Sequence, residues 1–72
     1  MSNWQYWNGN NAIEEDVNYL GIYKDLSGSF TLRFEEGKPY IFDDELDKFV
    51  SCGLAILDQD LGYFIKQDIV QN

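Results

Sequence analysis

Hydrophobic and polar positions alternate most cleanly over residues 29–35, SFTLRFE. Phe30, Leu32 and Phe34 fall on one side, and Ser29, Thr31, Arg33 and Glu35 on the other. That is the period of a half-buried strand. Glu36-Gly37 reads as a turn, after which KPYIF returns antiparallel. With those two as the loop residues, Arg33 faces Tyr40, Leu32 faces Ile41, and Ile41 joins the Phe30/Leu32/Phe34 face. Pro39 has no N–H to donate, so it marks the start of a strand or an edge. Upstream, YLGIYK (19–24) has strand character and reaches residue 29 through DLSG. The pattern predicts a three-strand meander.

Two helical patterns interrupt this reading. Asn11 and Glu14 have the spacing of a capping box, with asparagine as the cap. Behind them Ile13, Val17 and Leu20 share a helical face and Gly21 is a natural stop. The segment predicts a short helix at 12–18 running into a strand, with a strand over 11–20 as the rival. In DELDKFVSCGLAILD (44–58), Leu46, Phe49, Val50, Gly53, Leu54 and Leu57 form one apolar stripe. Asp43 or Asp44 caps its start, and Glu45 and Asp47 complement the helix dipole. Gly53 on that stripe predicts close approach of helix to sheet, with Cys52 and Ile56 on its flank. After Gly62, YFIKQDIV (63–70) predicts a last strand. The expected fold is a single α+β domain over 1–72. It has a small antiparallel sheet of three to four strands in a meander, with one main helix packed across it.

Size tightens that picture. A chain of 72 residues buries only about 60% of the surface its unfolded form exposes, so it needs a staple. A disulfide within the chain is excluded, because Cys52 is its single cysteine; there is no histidine either. The usual zinc ligand set is therefore missing, and neither a metal nor another cofactor is expected. Aromatic residues make up 17% of the chain. Dense aromatic packing is the expected staple, with a homodimer as the second. One thiol and no leader-like opening point to the cytoplasm. No apolar run approaches the roughly 20 residues of a membrane helix.

Charge changes the picture most. Thirteen acids against five bases give a net charge of −8. The acids cluster as Glu14-Glu15-Asp16, Glu35-Glu36, Asp43-Asp44-Glu45-Asp47 and Asp58-Asp60. Each cluster alone is an ordinary solvated cap or strand end. Together they create a field that steers cationic partners. Direct binding to nucleic acid is not expected, since the basic footprint is missing. The expected partner is a basic protein surface contacted by Glu35, Glu36, Asp43, Asp44, Glu45 and Asp47. A protein that normally holds nucleic acid fits, because carboxylates can imitate phosphates spaced about 1.7 Å along a duplex axis.

NWQYWNGNN (3–11) adds a second candidate. Extended, it puts Trp4 and Tyr6 on one face and Trp7 on the other; helical, it brings Trp4 and Trp7 together. These three rings either close a small core or form a platform for a partner or a sugar.

Catalytic chemistry has little to work with. Histidine, the commonest general base, is missing. Cys52 on an apolar flank is expected to be a buried, unreactive thiol. No Gly-rich phosphate loop is present. DQDLG (58–62) resembles the opening of a calcium loop, but its glycine falls fifth and Ile69 stands where the bidentate Glu belongs. The expected function is a non-catalytic acidic inhibitor or adaptor, with nucleic-acid mimicry as one form of it. The alternatives are a structural or regulatory homodimer and a small-ligand or carbohydrate module built on Trp4, Tyr6 and Trp7.

Overall fold

The structure, a computed structural model, describes residues 3–67. At its centre is the hairpin of β3 (Ser29–Glu35) and β4 (Lys38–Asp43), with Arg33 opposite Tyr40 and Leu32 opposite Ile41, as the alternation predicts. Its two loop residues both have positive φ, 54° at Glu36 and 79° at Gly37. That is the type I′ geometry whose twist matches paired strands. The Glu15 carboxylate fixes the turn by accepting the N–H groups of Glu36 and Gly37 at 3.1 and 2.8 Å.

The remaining elements are β1 (Gln5–Tyr6), β2 (Asn18–Tyr23), β5 (Lys48–Ser51), α1 (Leu54–Asp60) and β6 (Leu61–Lys66). All six strands form one antiparallel sheet in the order β1-β6-β2-β3-β4-β5. β2 to β5 run as a meander. α1 then carries the chain back so that β6 pairs on the free side of β2, and β1 adds to β6. The expectation of an α+β fold with three to four strands and a main helix is thereby corrected. The molecule is mostly sheet, with a single seven-residue helix among the described residues. Residues 68–70 of the expected last strand lie outside the described residues.

The predicted helix over 44–58 splits into three parts for identifiable reasons. Asp43 Oδ1 accepts the N–H groups of both Glu45 and Leu46, at 2.9 and 3.0 Å. This side-chain turn competes with helix start and wins. Asp47 then takes a φ of 57°, which ends any helix before it has formed. Phe49 and Val50 go to opposite faces of β5, opposite Phe42 and Ile41. Of the expected stripe, Leu57 is the member that is buried, whereas Leu46 and Leu54 are exposed. Gly53 makes no close approach: a Cβ there would meet only Ala55 N, at 3.9 Å.

The short helix expected at 12–18 does not form either. Asn11 is occupied elsewhere, its Oδ1 accepting Asn8 N–H at 2.8 Å. The Glu14 N–H that a cap would take donates to the Tyr19 hydroxyl at 2.9 Å. Asp16 has a φ of 64°, outside helical space. Ile13 and Val17 still pack against the core, but from an irregular segment, and Leu20 lies on β2.

One face of the sheet carries the core: Trp7, Tyr19, Leu32, Phe34, Leu57, Leu61 and Phe64. Residues 7–17 and α1 cover it. The rings interlock, with Trp7 stacked on Phe34 at 6.1 Å and edge-on to Phe64 at 6.0 Å, and Tyr19 edge-on to Phe64 at 5.7 Å. Such contacts add about 0.5–1.5 kcal/mol each beyond area burial.

Candidate interaction surface

Strand direction decides where the acids go. Successive strands reverse, so the Glu36-Gly37 turn lies at one end of the sheet, and the β2–β3 and β4–β5 loops lie at the other. The first end collects Glu35 and Glu36, joined by Glu14, Glu15 and Asp16 from the segment preceding β2. The second collects Asp43, Asp44, Glu45 and Asp47, with Asp25 on the β2–β3 loop and Asp58 and Asp60 at the end of α1. The six predicted contact acids are therefore not one line. They form two rims separated by the length of β4, roughly 17–20 Å at ~3.3 Å per residue.

The cations offset the first rim more than the second: Arg33, Lys66 and Lys38, opposite Glu35, stand at the first, and Lys24 and Lys48, opposite Asp43, at the second. Lys66 pairs with Glu14 at 2.9 Å, and Arg33 Nε stands 3.4 Å from Glu35 Oε2. That second contact is charge pairing alone, since Nε makes no hydrogen bond. Arg33 Nη2 donates to the Asp16 carbonyl at 3.0 Å, and Cζ lies 5.4 Å from the Phe49 ring centre. Lys24 Nζ donates to the Asp58 carbonyl at 2.6 Å. Hydrogen bonds from the Ser27 side chain and backbone hold the Asp25 carboxyl below its ordinary range.

Between the rims lies the second face of the sheet. Among the described residues no helix or strand covers it. Tyr6 and Tyr63 meet edge-on there at 5.0 Å and are each about half exposed; Phe42 and Phe49, partly buried, also meet edge-on, at 5.3 Å. The three N-terminal aromatics are thus not one platform. Trp7 is 6% exposed and points into the core, its Nε1 donating to Asp58 Oδ1 at 2.8 Å. Tyr6 points out from the opposite face, and Trp4 is half-buried.

Two loop leucines escape pattern reading, Leu26 because it belongs to no stripe and Leu46 because its stripe does not form. Leu26 is 72% exposed and Leu46 57% exposed, on the β2–β3 and β4–β5 loops. A leucine inside DLSG or DELD was the available signal, because turn chemistry there calls for small polar residues. Cys52 is half-buried against the core, and burial pushes its thiol up. Among the described residues no group of three acid or cysteine side chains converges as a metal site would. No helix among them is long and apolar enough to cross a membrane. Compared with protein-family models, curated proteins and solved structures, the chain matches none.

Proposed function

We propose that this protein is a non-catalytic interaction protein, an inhibitor or adaptor, that binds a basic protein surface through its acidic rims. The observation that carries the reading is the sorting of the acids onto turns at the two ends of the sheet. The denser rim is Asp43, Asp44, Glu45 and Asp47 with Asp25 beside it. Carboxylates on short turns of a rigid sheet are held in place, so a complementary cationic surface meets a preformed field. A groove that normally holds nucleic acid is the most strongly cationic surface of this class. The absence of histidine from the sequence and the raised thiol of Cys52 support a role without catalysis.

The test is association kinetics with the partner captured from the source cells at low salt. Long-range attraction acts mainly on the association rate, which should fall about tenfold or more as salt rises from 0.05 to 0.5 M. Asp44→Lys and Glu45→Lys together should slow association further. Asp43 is unsuited to reversal because its carboxylate holds the turn. Duplex DNA in excess should compete if the site is a nucleic-acid groove. A partner indifferent to salt and to those reversals would overturn the reading.

A further inference from the structure

The loop that follows Trp7 serves neither the core nor the acidic rims. Asn8 is followed by a glycine, whereas the asparagines at 3, 10, 11 and 18 precede Trp4, Asn11, Ala12 and Tyr19. A glycine in that place leaves the main-chain nitrogen uncrowded, and Gly9 takes a φ of 88° that suits a residue without a Cβ. The loop is pinned on either side of it. Trp7 N–H donates to the Gly62 carbonyl at 2.8 Å, and Asn8 N–H donates to Asn11 Oδ1 at 2.8 Å. Asn11 Nδ2 donates in turn to Gln5 Oε1 and the Tyr6 carbonyl, at 3.2 and 3.3 Å.

Within this frame stand the atoms that deamidation uses. Asn8 and Gly9 are both exposed. Among the described residues no protein acceptor takes the Gly9 N–H or the Asn8 Nδ2 hydrogens. The nucleophile and the leaving group are therefore not tied down. Asn8 Oδ1, by contrast, accepts the Asn10 N–H at 2.7 Å. Donors at roughly 2.7–3.1 Å stabilise an oxygen on which negative charge develops. An asparagine that closes on the N–H two residues ahead is an ordinary loop fastening. Here the residue between is a glycine with its own N–H unused.

We propose that Asn8 is a self-modification site, at which the folded loop converts the amide to a carboxylate without an enzyme. Gly9 N gives its proton to solvent base and attacks Asn8 Cγ. A C–N bond forms, and the carbonyl electron pair moves onto Oδ1 beneath the Asn10 N–H. Collapse of that intermediate breaks the Cγ–Nδ2 bond; the nitrogen takes a proton from water and leaves as ammonia. Water then opens the five-membered imide at either carbonyl, giving aspartate or its β-linked isomer. One water enters, one ammonia leaves, and nothing is oxidised or reduced. Either product adds one negative charge to the net −8 of the chain. That charge joins the second end of the sheet, since Asn8, Lys24 and Asp58 line one depression there. The reaction needs no partner, so it stands apart from the basic-partner reading.

The experiment incubates the full chain at pH 8 and 37 °C, folded and in guanidinium chloride, and samples it by anion exchange and peptide mass spectrometry. A species one mass unit heavier and later on anion exchange should accumulate, with the change mapped to Asn8. An isoaspartyl methyltransferase should label its β-linked fraction. The ratio of folded to unfolded rates should be one or greater, and the folded rate should rise with pH because the nucleophile must lose a proton. Asn8→Gln, whose attack would need a six-membered ring, should lose the product. Slower conversion of Asn8 in the folded chain than in guanidinium, or none, would overturn the proposal, because the fold would then protect the amide. Modification centred on Asn10 or Asn11, or a heavier product that persists in Asn8→Gln, would overturn it as well.

Discussion

A methyl group added at Gly21 would stand 2.9 Å from Leu61 Cδ1, 3.0 Å from Phe30 Cζ and 3.1 Å from Leu32 Cδ2. Leu61 and Leu32 are fully buried and have nowhere to go, so Gly21→Ala should cost about 1–3 kcal/mol by overpacking. Urea unfolding measures this; a neutral result would mean the core yields. Trp7 and Asp58 give a second expectation. Asp58→Ala removes the acceptor of the indole N–H and should cost about 1 kcal/mol. Asp58→Asn removes the charge but keeps an acceptor, and should cost less. Cys52 supplies the pH-dependent case. Burial raises its pKa in the folded state, so the folded chain holds the thiol proton more tightly than the unfolded chain does. The stability that follows is present at neutral pH and is lost as pH rises past the ordinary thiol range. Alkylation by iodoacetamide at pH 8 should accordingly be slower in the native protein than in urea.

At the level of elements, legibility followed how many independent signals agreed. The β3–β4 hairpin was readable down to its register because alternation, a glycine turn and the position of Pro39 pointed the same way. Pro39 accepts Cys52 N–H through its carbonyl at 3.0 Å, at the end of β5 where its missing N–H does least harm. The 44–58 segment misled because one aspartate can start either a helix or a turn. Asp43 closing on Glu45 and Leu46 decided it, and a four-residue strand is too short to show its period. β1 and the pairing of β6 with β2 were not readable, since contacts between distant segments leave no local trace. The acids were visible as clusters, but their division between two ends required the strand order. The hairpin turn carries its own expectation. Glu36 sits at φ 54°, where asparagine is preferred, so Glu36→Asn should stabilise by about 0.5–1 kcal/mol. Glu15→Ala, which strips the turn of its two acceptor contacts, should destabilise by about 1 kcal/mol or more. Chemical unfolding of the two variants side by side checks both signs.

For the whole molecule the decisive quantity is a net charge of −8 on a body measuring 35 × 34 × 26 Å. Among the described residues the side-chain ion pairs are Arg33–Glu35 and Lys66–Glu14. Both are solvent-accessible, the kind of contact worth about 0–1 kcal/mol. Repulsion within and between the rims therefore outweighs attraction, and self-repulsion of this kind destabilises the folded state. Added sodium chloride should then raise the melting temperature. The Debye length is about 30 Å at 0.01 M and about 10 Å at 0.1 M. Repulsion between the two ends, roughly 17–20 Å apart by strand length, should be screened first, and repulsion within one rim only at higher salt. Most of the rise should come below about 0.2 M, with a shallower gain above it. Glu45→Lys should raise the melting temperature at 0.01 M and flatten its dependence on salt. Acidification acts in two directions. Protonating the rims relieves repulsion as pH falls toward the sequence pI of 4.1. Asp25 opposes this: its folded pKa is depressed, so the stability it adds is present at neutral pH and is lost as pH drops through the carboxyl range. Melting curves across salt at pH 7 isolate the repulsive part from Asp25. A melting temperature that falls on adding sodium chloride would mean that the few ion pairs, and not the rims, govern the electrostatics of this fold.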